Sequence, residues 1–382
     1  MRFLRKIEKQ LVLSVRPNKV VILYGARQVG KTTLIKKTIK QLDFKKLYIN
    51  ADEVKYRDIL SSQDIDRLKK LIGDNELLII DEGQRIENIG INLKLMVDEI
   101  PNIRIIVTGS SSLELANKIS EPLTGRKITL QLFPVSIWEL QSHFSDFDIE
   151  SKLEEFLIYG TYPDTLNESS CKGKIKYLRE LSSSYLYKDV LELKEIRKSP
   201  KIHKLLKLVA FQMGSQVSVS ELANSLDLDK ETVFRYLDLL EKSFVIFSLS
   251  GFSRNLRKEV TKSYKYYFYD LGIRNVLIDN FNSLVDRNDV GHLWENFIIL
   301  ERMKYLDYSE QFASKYFWRT YTGAEIDYVE ERDGKLFGYE IKWGNKKIMV
   351  PKTWIEIYKN AEFRVINREN FLEFAGELKG KK

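Results

Sequence analysis

Cysteine is nearly missing: the chain of 382 residues has one, Cys171. A single thiol excludes an internal disulfide and a cysteine-rich zinc site, and the three histidines form no metal-ligand spacing. Any metal is therefore expected on oxygen ligands. Long apolar runs are also missing. None approaches the length of a membrane span, and Arg2 to Gln10 mixes charged and apolar residues in a way no signal peptide does, so a cytoplasmic protein with no membrane partner is expected. What is present is ordinary for a soluble globular protein, with 43% hydrophobic and 30% charged residues. The length suits two to three domains with sizeable cores. A net charge of +8 permits phosphate contacts to nucleic acid, although lysine-rich surfaces also serve solubility.

The informative stretch is Val20 to Ile35. Val20 to Leu23 reads as a buried parallel strand and Thr32 to about Lys40 as a helix, which makes Gly25 to Lys31 a strand-to-helix loop. Its spacing, G-x-x-x-x-G-K-T, is that of a phosphate-binding loop, or Walker A motif. Backbone N–H groups of Gly25, Ala26, Arg27, Gln28, Val29, Gly30, Lys31, Thr32 and Thr33 can wrap an anion. Lys31 reaches the β and γ phosphates of ATP, and the Thr32 hydroxyl ligates Mg²⁺. A glycine-containing turn before an ordinary helix is the plainer alternative.

Before this loop, Phe3 to Val15 reads as an amphipathic lead-in helix closed by Pro17 and Asn18; after it come a short strand, Leu47 to Asp52, and a helix, Asp64 to Ile72. Glu76 to Gln84 is an apolar strand that delivers two carboxylates at its C-terminal end, a Walker B arrangement. Asp81 would hold the Mg²⁺ shell and Glu82 would polarise the attacking water. The strand Ile103 to Ser110 ends in small polar residues. Thr108 or Ser110 can sense a γ-phosphate there, or Ser110 to Ser112 can simply cap the next helix.

These segments, with Leu123-Thr-Gly125-Arg126 and Leu132-Phe-Pro134-Val-Ser-Ile-Trp-Glu139, resemble the prokaryotic AAA-type ATPases that carry a C-terminal domain of unknown function. Tyr159-Gly160-Thr-Tyr-Pro163-Asp and Tyr187-Lys188-Asp189-Val fit the same family, so the resemblance spans most of the chain. It implies ATP use more firmly than any biological purpose. It also makes Arg126 a candidate catalytic arginine, sensing the γ-phosphate in cis or acting in trans across the interface of a homo-oligomeric ring or dimer; a structural arginine is the alternative.

Residues 150 to 198 read as a helical connector broken at Gly160 to Pro163, and Ser199-Pro200 as the first convincing boundary. Ser218 to Glu221 has capping-box spacing before one short helix. A turn at Asp227 to Asp229, a second helix through Leu240 and two strand-like segments, Phe244 to Leu249 and Lys265 to Asp270, complete a winged-helix pattern. The second helix exposes a face of mixed charge, so Arg254, Arg257, Lys258 and Lys262 are the better phosphate-contact candidates on the wing.

From Gly291 the order is helix, three strands, helix, strand, with Asp333-Gly334 as a two-residue hairpin turn. That turn sets Asp327 opposite Glu340 and Glu325 opposite Lys342. Such an Asp/Glu pair, with a lysine two residues beyond the Glu, resembles the PD-(D/E)XK nuclease core. By that resemblance Asp327 and Glu340 ligate Mg²⁺, Lys342 activates water and Glu295 completes the site, although Ile326 stands where the motif favours proline. The alternative is a Glu325 to Lys342 ion pair with the other acids solvated.

The expected fold is thus α/β: a P-loop NTPase parallel sheet with helical connector over 1–198, a winged-helix domain over 199–285 and a small nuclease-like α/β domain over 286–382. Three functions fit: a Mg²⁺-dependent ATPase coupled to DNA binding or cleavage, a nucleotide-controlled DNA-binding switch with an inactive nuclease core, or a nucleotide-dependent module for an unidentified protein partner.

Overall fold

The computed structural model describes residues 1–109, 123–191, 199–254, 263–345 and 348–376, with the backbone alone for 184–191 and 199. Ser110 and the wing residues Arg257, Lys258 and Lys262 lie outside the described residues. The chain forms two compact units, one of Arg2–Pro134 with Lys242–Phe244, the other of Val135–Glu241 and Val245–Lys382 with Met1.

The first unit is a five-stranded parallel sheet in the order β2-β3-β4-β1-β5. Its strands are β1 Lys19–Tyr24, β2 Lys46–Asn50, β3 Leu77–Asp81, β4 Arg104–Gly109 and β5 Lys127–Gln131. Every residue of β3 is buried, as a central strand covered on both faces requires, which is why it reads as an unbroken apolar run. Helix Lys31–Thr38 follows β1 and helix Ile65–Ile72 precedes β3. The latter starts one residue later than expected, because Asp64 is its N-cap, the carboxylate accepting from the Asp66 and Arg67 amides. The lead-in helix is shorter than its apolar pattern suggests, Glu8–Ser14.

The second unit holds a seven-stranded sheet in the order β12-β11-β10-β9-β7-β8-β6. After five helices between Ile137 and Leu191 come helix Ser199–Phe211, β6 Gln216–Val217, helices Val219–Leu226 and Lys230–Lys242, β7 Ile246–Gly251 and β8 Tyr264–Phe268. Helix Val290–Tyr308, β9 Ser314–Arg319, β10 Glu325–Arg332, β11 Lys335–Ile341, helix Lys352–Ile357 and β12 Glu362–Ile366 follow. Asp333 and Gly334 both have positive φ, 51° and 72°, as a primed hairpin turn demands. The register Tyr328↔Tyr339 follows from that turn. The boundary drawn at residue 285 does not divide the sheet: β7 pairs in parallel with β9, Ser250 against Tyr316 and Gly251 against Phe317, so both segments build one sheet.

The Tyr159 to Pro163 motif has a structural task in this unit. Gly160, at φ 73°, lets the backbone turn directly against the buried Asp270 carboxylate; a Cβ there would lie 2.1 Å from Oδ1. Asp270 accepts hydrogen bonds from the Thr161 amide (2.8 Å) and, capping helix Leu271–Leu277, from the Ile273 amide (3.1 Å). Burial pushes its carboxyl up to about 6.

Candidate functional site

Parallel strands deliver their last residues to one edge of the sheet, and three of the predicted residues meet there. Asp81 ends β3, Thr108 lies near the end of β4, and Thr32 opens the helix after the β1 loop. The Thr32 hydroxyl donates to Asp81 Oδ2 at 2.9 Å, the Tyr48 hydroxyl donates to the same oxygen at 2.6 Å, and the Thr108 hydroxyl donates to Oδ1. Three hydroxyls therefore hold a carboxylate that is only 5% exposed. Thr108, fully buried, is spent on Asp81 and on the Glu82 amide, whose N–H it accepts at 3.3 Å. Its hydroxyl thus bridges the Asp81 carboxylate and the backbone of Glu82.

The loop itself is built for close approach. Gly25 passes so near the Leu132 carbonyl that a Cβ would lie 2.2 Å from its oxygen. Gly30 is the left-handed residue before helix Lys31–Thr38. Lys31 folds back to donate to the Gly25 and Ala26 carbonyls, each at 2.8 Å, so its ammonium lies within the loop. Glu82 follows Asp81 in a left-handed conformation, φ 57°, and accepts from Gln84 Nε2 at 2.5 Å.

Arg126 is elsewhere. It precedes β5, whose Lys127 pairs with Val20 at the start of β1, while the loop follows the far end of β1. Five residues of strand separate the two levels, roughly 16 Å at the rise of a β-strand. Its guanidinium is bound to Asp98 at 2.6 Å. The structure does not bring Arg126 to the loop of its own chain.

Tyr48 and Gln84 were missed as site residues. Tyr48 lies on an expected strand, but only the adjacency of β2 and β3 aims it at Asp81. Burial first, then the Asp81 hydrogen bond and charge, push its phenol well above the usual range, so it donates throughout the physiological pH span.

Residues 17–141 match the family model described as an AAA domain. This first third of the chain is similar to AAA domains. Residues 150–284 and 290–375 match two further family models, each described as a domain of unknown function (DUF8612 and DUF4143). Among similar proteins, Rv2008c of Mycobacterium tuberculosis is 29% identical over 335 residues, covering 85% of this chain and 70% of that protein. MJ1544 of Methanocaldococcus jannaschii is 26% identical over 321 residues, covering 77% and 69%. A solved structure, the Walker-type ATPase paby2304 of Pyrococcus abyssi, superimposes with a TM-score of 0.47 at 17% identity, over 72% of this chain and 94% of that one.

The second candidate site lies on the seven-stranded sheet. Lys342 Nζ reaches Asp327 Oδ2 at 3.1 Å and Glu340 Oε1 at 2.8 Å, and the Ile341 amide also donates to Asp327 (2.8 Å). The alternative, an ion pair of Glu325 with Lys342, is not made: Glu325 takes Lys265 at 2.6 Å and Arg319 at 3.4 Å instead. Lys265, on β8 and only 3% exposed, also reaches Glu295 at 3.3 Å, and the Tyr267 hydroxyl donates to Glu295 at 2.6 Å. Glu295 is thus held within an ion-pair knot. Burial pushes its carboxyl up to about 7 despite Lys265 beside it. Burial and the neighbouring Asp327 likewise raise the Glu340 carboxyl. Among the described residues no group of three or more His, Cys, Asp or Glu side chains is arranged to hold a metal ion. Lys265 was missed because it belongs to a segment with no part in the nuclease motif.

Proposed function

We propose that this chain hydrolyses ATP in a Mg²⁺-dependent reaction at the Gly25 to Thr33 loop. The observation that carries the reading is the contact of Thr32 with Asp81: a hydroxyl and a carboxylate from two separate motifs share one hydrogen bond at the strand tips, beside the folded-back Lys31. Oxygen donors of this kind fit a small hard cation, which would neutralise phosphate charge when bound by Thr32 and Asp81. Backbone amides of the loop and Lys31 bind the β and γ phosphates. Glu82, once released by Gln84, accepts a proton from water as the water oxygen bonds the γ-phosphorus and the bond to the β–γ bridging oxygen breaks, leaving ADP and phosphate.

For the second unit, the order helix, strand, helix, helix, strand, strand, with β8 between β6 and β7, supports a winged helix. Its second helix, Lys230–Lys242, exposes Phe234 (49%) among Lys230, Glu231, Arg235 and Asp238, a mixed face. The later order and the Asp327, Glu340 and Lys342 geometry support a nuclease-like fold. The lysine-filled acid cluster favours a scaffold without cleavage activity. We therefore favour nucleotide-controlled binding, to DNA or to a protein partner, over DNA cleavage. The deciding experiment measures ATP turnover with and without DNA in Mg²⁺, comparing wild type with Glu82→Gln, and follows the same DNA for cuts. Turnover lost in Glu82→Gln with intact DNA is expected. Absence of turnover in wild type overturns the ATPase, and cuts abolished by Lys342→Ala overturn the scaffold reading.

A further inference from the structure

The first sixteen residues precede the stretch that matches the AAA domain, yet one of them reaches the phosphate loop. Arg5 Nη1 donates to the Val29 carbonyl at 2.7 Å and its Nη2 donates to the Phe133 carbonyl at 2.5 Å. The guanidinium thus ties the loop to the segment that runs on from β5. It lies against the loop so closely that a Cβ on Gly30 would be 3.6 Å from Nη1. The helix that follows fixes Arg5 in place. Ile7 and Leu11 are fully buried, and Glu8 accepts from Lys37 Nζ and Gln41 Nε2, each at 2.6 Å, beside the helix that leaves the loop.

A peptide unit is planar and trans, so its C=O and N–H point in opposite directions. Holding the Val29 oxygen therefore aims the Gly30 N–H the other way, toward the anion that a loop of this spacing encloses. We propose that Arg5 is a positioning residue for nucleotide binding: it pre-sets the Val29 to Gly30 peptide so that the loop pays little ordering entropy when phosphate arrives. The reasoning rests on the nucleotide-binding reading above. It makes affinity for ADP and ATP depend on a residue outside both Walker motifs, and the effect falls on KM more than on kcat because Arg5 touches no reacting atom.

The test measures dissociation constants of fluorescent ADP and ATP analogues, with Mg²⁺, for the full chain and for Arg5→Ala, Arg5→Lys and, at an exposed position of the helix that follows, Lys9→Ala, together with the rise in Tm that each nucleotide produces. Arg5→Ala should weaken both nucleotides by about tenfold and shrink the Tm rise, Arg5→Lys, which keeps one donor, should fall between, and Lys9→Ala should bind as wild type. A merely structural role lowers the Tm equally with and without nucleotide and leaves affinity alone; that result overturns the proposal, as does equal weakening by Lys9→Ala. If Arg5→Ala does not fold, Arg5→Lys with wild-type affinity overturns it equally. A wild-type chain that binds neither nucleotide overturns the nucleotide-binding reading itself, a separate outcome.

Discussion

Replacing Lys265 with methionine keeps the length of the side chain and removes its charge from among Glu295 and Glu325, which it contacts at 3.3 and 2.6 Å. Breaking a buried ion pair by removing one partner costs about 3–5 kcal/mol, because the remaining charges are left uncompensated. The cost should depend on pH in a direction fixed by Glu295. Its carboxyl titrates near 7 in the folded chain against an ordinary 4.5. A folded pKa above the unfolded one means that the folded state holds the proton more tightly, so stability is greatest below the unfolded value and is lost as pH rises through the folded value. For Glu295 that loss amounts to about 3 kcal/mol in wild type. Lys265 and Tyr267 face the group from β8, Asp327 and Glu325 from β10, and His292 from its own helix. Without Lys265, the carboxyl titrates higher still. Urea unfolding of Lys265→Met at pH 8.5 should therefore show the full deficit relative to wild type, and at pH 5.5 a much smaller one, since a protonated Glu295 needs no counter-charge. A deficit below 1 kcal/mol, or one that is equal at both pH values, would refute the view that Lys265 is the resident cation of this cluster.

Gly160→Ala should destabilise the chain by about 2 kcal/mol or more, because its Cβ would meet the Asp270 carboxylate in a left-handed turn; an unchanged unfolding midpoint contradicts this. Tyr48→Phe removes one of three hydroxyls from Asp81 and should lower stability by about 1.5 kcal/mol. The same measurement checks it, and no loss would mean that the phenol contributes nothing. Arg126→Ala should leave ATP turnover within about twofold, since the guanidinium lies at the far end of the sheet; a loss on the order of a thousandfold would place Arg126 in the active site of a neighbouring subunit.

The sequence by itself determined what is local. The segment from Val20 to Ile35 is a contiguous strand, loop and helix whose glycine, lysine and threonine spacing is set by a single turn of chain, and these elements form where expected. The Asp64 cap and the Asp333-Gly334 turn are equally short in range, and the turn propagates its register along β10 and β11, bringing Asp327 and Glu340 to one lysine. β5 was not legible: Lys127–Gln131 is partly exposed and carries no apolar run, so its place beside β1 depends on the neighbour it pairs with.

Tertiary structure alone decided which distant residues meet. The order β2-β3-β4-β1-β5 puts Tyr48 and Thr108 on Asp81 and leaves Arg126 at the opposite end of the sheet. The parallel pairing of β7 with β9 joins two segments into one sheet and carries Lys265 among the carboxylates of Glu295 and Glu325. Periodicity and capping act over a few residues, whereas the choice of strand neighbour is made by whole faces and edges. A lysine's role as counter-ion is settled by whichever carboxylates that choice sets beside it.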